Sequence, residues 1–267
     1  MRGLALLGCA AFLALPLPAS GQATSTTPTP SAAPAGADDS ASQPIVEPAA
    51  IAQLKRMSDF LTSLKTFDLV SNSTLELVTV HDQKLQIDGV VHYKVAKPGI
   101  WIDFDTDLKH RQYFYNGKQF TIYAPKLGFY ANMPAPPTNR EFLKAVKQKT
   151  GVELPLEDLF RWNDGDDSDI KELNWAYNVG VAHIDGVLAD HWAFRQGDID
   201  WEVWIQRGDQ PVPLKLAIVD RSDPERPGYT ARLKWTLNPP LTAADFTYVP
   251  GPDAKKIQIA TLVEEAK

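Results

Sequence analysis

Between Asp185 and Asp220 the side chains sort themselves in steps of two. Trp192 and Phe194 fall on one side of a strand, with His191, Ala193 and Arg195 on the other. Trp201, Val203 and Ile205 alternate with Asp200, Glu202 and Gln206, and Leu214, Leu216 and Ile218 with Lys215, Ala217 and Val219. A period of two with one apolar side predicts antiparallel strands, one face packed and the other wet. The breaks at 196–198 and 207–211 are short and turn-rich, so these strands are expected to be hairpin neighbours.

The pattern recurs upstream after one helix. From Glu47-Pro48, where proline suits a first helical turn, Ile51, Leu54, Met57, Phe60, Leu61 and Leu64 recur at spacings of three and four. That single apolar stripe predicts a helix lying on a sheet. The period then shifts to two. Leu69, Leu75 and Leu77 share a side of a first strand, Leu85, Ile87, Val91, Tyr93 and Val95 of a second, and Ile100, Ile102 and Phe104 of a third. Tyr113 and Tyr115 lead into Asn116-Gly117, read as a two-residue hairpin because both positions tolerate positive φ. Phe120 and Ile122 answer on the return strand, and 127–133 forms another.

Pro134-Ala135-Pro136-Pro137 ends this run. Thr138 to Glu141 reads as a capping box opening a helix with Phe142, Leu143 and Val146 on one face, closed by Gly151. A second short helix is expected over 154–160, then an acidic loop at 163–169. That loop lacks the ligand order and distal glutamate of a calcium-binding loop. Strands resume with Val179, Val181 and His183, and 221–228 is a hairpin tip. Tyr229, Leu233 and Trp235 mark a last alternating strand, followed by a small turn at 241–246 and a short strand or loose end.

The N-terminal 23 residues carry one arginine, an apolar run from Leu4 to Leu17 and small residues after it, the pattern of a secretory signal peptide. The run is too short to span a membrane. Residues 24–46, rich in Pro, Ser, Thr and Ala, are expected to be a disordered leader. The formal charge of −6 gives no basic face for nucleic acid. Cys9 is the only cysteine, so no intrachain disulfide can form. Leu6-Leu7-Gly8-Cys9 resembles a lipoprotein cleavage box, but too few apolar residues precede it to favour a lipid anchor over removal with the signal.

Motifs for chemistry are sparse. No G-x-S-x-G elbow occurs, and no H-E-x-x-H or C-x-x-C pattern. His183, Asp185, Asp190 and His191 are close in sequence, yet parity puts the two histidines on opposite sides of the sheet, which favours turn and surface roles. The aromatic side is the better candidate. Phe104, Tyr113, Tyr115, Phe120, Trp192, Phe194, Trp201, Val203, Leu216 and Trp235 fall on the covered faces and are the expected lining of an apolar chamber. Any one of them taken alone reads more readily as core filling, and it is the set as a whole that points to a chamber. Trp101 and Trp204 fall on the wet side, where they mark either a partner surface or a site covered from elsewhere.

The hairpin YNGKQFTIYAPKLGFYANMP (115–134) and the order helix, strands, helical segment, strands resemble the lipoprotein carrier superfamily of LolA, LolB and LppX. DGVLADHWAFR (185–195), DWEVWIQRGDQPVPLKLAIVD (200–220) and LNPPLTAADFTYVPGPDAKKI (237–257) are similar to a bacterial family of predicted periplasmic proteins, domain of unknown function 2092. The resemblance covers most of 47–257 and implies a mainly β (α+β) fold: a curved antiparallel sheet forming an incomplete barrel, its concave face covered by helices. The tail is then 258–267. It implies a periplasmic protein that binds a lipid or lipoprotein acyl chain as carrier or sensor, without catalysis or cofactor. The alternative is an envelope interaction module that uses the Trp101 and Trp204 face to hold a protein partner.

Overall fold

The computed structural model describes residues 45–150 and 169–259. The signal peptide, most of the leader, the expected second helix and most of the acidic loop lie outside the described residues. Helix α1 (Pro48–Ser63) precedes β1 (Phe67–Val78), β2 (Lys84–Ala96), β3 (Gly99–Thr106), β4 (His110–Tyr115), β5 (Gln119–Ala124) and β6 (Phe129–Pro134). After α2 (Asn139–Thr150) come β7 (Leu173–Ile184), β8 (Val187–Gln196), β9 (Ile199–Gln206), β10 (Pro213–Asp220), β11 (Gly228–Leu237) and the short β12 (Lys255–Lys256). All twelve strands form one sheet in the order β12-β6-β5-β4-β3-β2-β1-β11-β10-β9-β8-β7. Every pair is antiparallel except β12, which runs parallel to β6. The sheet stays open, since β12 and β7 are its two ends. This is the mainly β architecture that the alternation predicts, incompletely closed as the family resemblance implies.

Register confirms the parity. Trp192 lies opposite Val203 and Phe194 opposite Trp201, while Val203 and Trp201 face Leu216 and Ile218 across the next pair. In the other half a single row crosses six strands as Ile122, Tyr113, Ile102, Tyr93, Leu69 and Trp235. Both halves therefore turn the same apolar side inward, and one contiguous core joins them.

The helices cover that side. α1 begins with Pro48 in its first turn and buries Ala50, Leu54, Met57, Ser58 and Leu61. Its last turn and its middle are tied to loops on both halves, Lys97 Nζ donating to Thr62 O and Arg56 Nη2 to Gly208 O. α2 lies over β4 and β5, where Phe142 stacks on Tyr115 with centroids 3.9 Å apart and tilts against Phe120 at 5.0 Å. Asn139 pins its start, donating to Ala96 O and accepting from Gly99 N.

Four local expectations need correction. The chain is already paired at Ile45 and Val46, which bridge to Ala176 of β7, so the leader ends earlier than position 46. The Asn116-Gly117 turn is longer than two residues: Tyr115 pairs with Phe120, and only Gly117 of the two takes a positive φ, +82°. Asn116 instead accepts the Lys118 and Gln119 amides through its side chain, which stabilises the wider loop. At α2, Thr138 Oγ1 accepts the Glu141 amide, but the Glu141 carboxylate takes the Thr138 hydroxyl rather than its backbone amide. In β7, register shifts at Leu173/Trp175 and Asn178/Gly180 interrupt the alternation: Val179 falls within the second shift, Val181 is exposed although it lies opposite Asp190 on the apolar side, and Leu173, Ala176 and Ile184 are buried.

The C-terminal segment straps the wet face. A 3-10 turn at Ala243–Phe246 is closed by a capping box between Thr242 and Asp245. Asp245 also accepts from Lys94 Nζ at 3.0 Å. The Phe246 ring rests on Gly99 so closely that a Cβ there would meet it at 2.8 Å. Tyr248 inserts among Phe114, Tyr123 and Tyr130, with centroids 5.0–5.3 Å away.

Leu54→Ala should lower stability by about 2–5 kcal/mol in urea denaturation, because it leaves a void under α1. The Thr242 amide, then Lys94, hold the Asp245 carboxyl down at about 2 against an ordinary 3.8. Its contribution is therefore present above pH 3.8 and lost as pH falls to about 2. Asp245→Asn should melt below the wild type at pH 7, and the gap should close across that acidic interval.

Candidate functional site: an apolar wall open at one end

The ten residues expected to line a chamber divide unequally. Trp192, Phe194, Trp201, Val203 and Leu216 are buried in the wall of β8, β9 and β10, with Phe194 stacked on Trp201 at 4.0 Å. Tyr113, Tyr115 and Phe120 are buried on β4 and β5, the latter two directly under Phe142. Burial pushes the Tyr113 and Tyr115 phenols up to about 12, and Tyr115 donates to Pro136 O at 2.6 Å. Both rings thus stay neutral over any physiological range. Trp235 is half-buried, tilted against Phe67 at 5.4 Å, with Nε1 donating to Pro213 O.

Phe104 is the member of the ten that borders open space. With Ser73, Leu75, Ile87, Val91, Leu108 and Tyr229 it lines a cleft of about 40 Å³ on the apolar side. A single water needs about 10–15 Å³ of such space, so the cleft holds a few waters at most. The wall continues past it. Phe67 and Leu69 are buried under α1, Leu75 and Leu77 only half-buried, and Leu85 at the tip is 41% exposed. Leu108 on the neighbouring turn is 50% exposed. Among the described residues, the apolar face emerges from its helical cover at this end.

Aromatic size drew attention to the wall's packed part. The residues at its opening are aliphatic positions of β1 and β2, already on the predicted side but indistinguishable by type from core. Two cations went unnoticed as well. Lys109 lines the cleft, its Nζ 5.5 Å from the Phe104 centroid. Arg111 pairs with Phe104 across β3 and β4, on the apolar side by register, and donates to His110 O. Strict alternation from Tyr113 and Tyr115 back to 111 was the signal available for Arg111.

The wet side holds the larger recess, about 950 Å³, floored by Asn72, Thr74 and Val90 and edged by Asp88, Asp105, Lys215 and Arg232. Arg232 reaches Asp185 at 2.9 Å, which draws the β7–β8 turn over this side. Three histidines there each meet a carboxylate: His92 with Asp68 at 2.8 Å, His110 with Asp103 at 2.6 Å, His191 with Glu202 at 2.6 Å. The sequence cluster of His183, Asp185, Asp190 and His191 is dispersed. Asp190 holds Arg207, Asp185 holds Arg232, and His183 faces the side opposite His191 by register. Among the described residues no group of three or more His, Cys, Asp or Glu comes together as a metal site.

Trp204 corrects the expected aromatic docking face. It is on the wet side but only 7% exposed, stacked on His191 at 4.0 Å with Lys215 Nζ 4.2 Å from its centroid. Cation and imidazole together close the ring off from solvent. Trp101 is half-buried, with the His92 ring at 5.1 Å and Lys94 at 5.2 Å.

Several solved structures have a similar chain path. The Mycobacterium tuberculosis lipoprotein LppX is 10% identical over 74% of this chain and 100% of its own, with a TM-score of 0.45. An uncharacterized conserved protein from Thermus thermophilus is 14% identical over 79% of this chain and 99% of its own, TM-score 0.44. The Pseudomonas aeruginosa MucA/MucB complex contains a chain 12% identical over 82% of this one and 67% of its own, TM-score 0.42. No curated protein matches. The family model described as predicted periplasmic protein (DUF2092) matches residues 50–260, and the chain belongs to that family of periplasmic proteins.

Proposed function

We propose that this periplasmic protein holds the hydrophobic part of a lipid, or the acyl chain of a lipoprotein, against its apolar wall. It acts as a carrier or sensor and not as a catalyst. The observation that carries this reading is the end of the wall that the described residues leave uncovered. Leu75, Leu77, Leu85, Ile87 and Leu108 form an apolar strip beside the Phe104 cleft, continuous with the core. An apolar strip of this kind in a periplasmic protein favours an apolar occupant.

The energy scale is adequate. Each methylene removed from water contributes about 0.8 kcal/mol, so a dozen carbons give about 10 kcal/mol gross before the costs of association. The cleft of about 40 Å³ accommodates only the end of such a chain. The chain therefore lies along the strip, with the Phe104 cleft at its inner end. The packed residues Tyr113, Tyr115, Phe120, Trp192, Phe194, Trp201, Val203, Leu216 and Trp235 form the backing of that wall.

Purified full-length protein should release a lipid on organic extraction, detected by mass spectrometry, and should bind palmitate in calorimetric titration. Leu75→Asp should weaken palmitate binding by about tenfold or more, since a carboxylate in the strip desolvates against the chain. Absence of both lipid and palmitate binding would refute the reading. Phe104→Ala should cost about 1–2 kcal/mol of stability and weaken binding, whereas Phe120→Ala should cost about 3–5 kcal/mol, as for a fully buried ring.

A further inference from the structure

We propose that two copies of this chain pair through the outer edge of β7, antiparallel about a two-fold axis at Ala182, into one continuous sheet. β7 is one of the two ends of the sheet. Its first half is already met from outside by the chain's own entry. Ala176 N donates to Ile45 O, Glu47 N to Ala176 O, and the Asn178 amide to the Glu47 carboxylate at 3.0 Å. The chain then departs into α1. Beyond the register shift at Asn178/Gly180 the ladder to β8 is regular, from Gly180 opposite His191 to Ile184 opposite Val187. Asp185 and Gly186, at φ +49° and +83°, form the two-residue turn that follows. The closing pair of such a hairpin bonds inward, so by alternation Val181 and His183 turn their N–H and C=O groups away from β8. Among the described residues no strand pairs with that edge.

Charge decides what occupies it. The opposite end of the sheet, β12, is two residues long and both are lysine. Lysines on a short edge strand keep that edge from pairing. β7 has 12 residues with no Lys, Arg, Asp, Glu or Pro among them, and Val181 is 54% exposed. A second copy's β7 brings the same uncharged segment, so no like charges meet. With Ala182 facing its own equivalent, Val181 lies opposite the second copy's His183, and the outward N–H and C=O groups of each pair bond one another. A contact between β7 and a second copy's β12 would instead be head-to-tail and need not close. The two lysines oppose that contact, whereas the β7 pair closes by itself because it uses both free edges.

The contact is short, so association is expected in the micromolar range. In sedimentation equilibrium the purified full-length protein should move from monomer toward dimer mass between about 1 and 200 μM. Val181→Lys should raise the dissociation constant about tenfold or more and leave the thermal unfolding midpoint of the monomer unchanged. Cys9 is the only cysteine, so Ala182→Cys combined with Cys9→Ser puts one thiol on the proposed axis. Facing Cα atoms there are about 4.5 Å apart, as in a non-hydrogen-bonded antiparallel pair, which a disulfide spans. Mild oxidation should therefore cross-link this variant. Val80→Cys in the same background, at an 86% exposed position of the β1–β2 turn, should stay uncross-linked. A wild type that remains monomeric up to about 200 μM overturns the proposal. So does a dimer that Val181→Lys leaves intact, or equal cross-linking of the two cysteine variants, since either places the contact elsewhere.

Discussion

The ladder between β1 and β11 is the constraint on which the rest depends. It runs from Phe67 opposite Leu237 to Leu75 opposite Tyr229 and joins segments far apart in the chain. Without it the chain would hold two separate sheets, β1 to β6 with β12 and β7 to β11, each with a new exposed edge. Closing so long a loop costs only logarithmically more than closing a short one. The gain is one wall in which Leu69, Leu233 and Trp235 pack beside Tyr93 and Ile102. The far end of the ladder is clamped, with Asn238 N donating to Thr66 O and Thr66 Oγ1 to Pro239 O. A one-residue slip here would turn one half's apolar side to water while the other stayed inward.

That common parity is also why chemistry separates so cleanly between the faces. Acidic and basic side chains of β2, β3, β9 and β11 meet one another on the wet side, as in the Arg195–Asp200 pair at 2.5 Å and the Lys94–Asp245 pair. Exposed pairs of this kind contribute little stability individually. Their effect is to leave the apolar side nearly uncharged, so the few charges that do fall there stand out.

Alternation is a local property, and what it dictates is legible residue by residue. The faces of Trp192, Trp201, Leu216, Tyr93 and Ile102, and the stripe of α1, follow from spacing alone. Strand order does not, because nothing in the periodicity of Phe67–Val78 says that its second neighbour is Gly228–Leu237. The failures are local too. Two register shifts in β7 break the parity that Val179 and Val181 suggested, and Asn116 spends its side chain on turn amides instead of adopting a positive φ. For the site, residue type misled. Large rings such as Trp201 and Phe120 are where a core is densest, whereas the opening falls at Leu75, Ile87 and Leu108. Trp204 shows the complementary limit: its side was legible, its cover by Lys215 and His191 was not.

The position of the opening has a geometric cause. α1 is a helix of 16 residues, about 24 Å long at 1.5 Å per residue. β1 and β2 have 12 and 13 residues, about 40 Å at 3.3 Å each. α1 starts beside β7, where Val46 bridges Ala176, and ends just before Phe67 of β1, so it crosses the strands at one end of the wall and does not follow β1 to the β1–β2 tip. α2 adds cover over β4 and β5, which have only 6 residues each and do not reach that tip either. The leucines that the described residues leave uncovered are thus where β1 and β2 run on past the crossing helix, their alternation continuing to Leu77 and Leu85. A sheet serving only as backing for α1 would have no physical need for apolar side chains so far beyond the helix. Their persistence there is the feature that a bound apolar chain accounts for and that core packing under the helix does not.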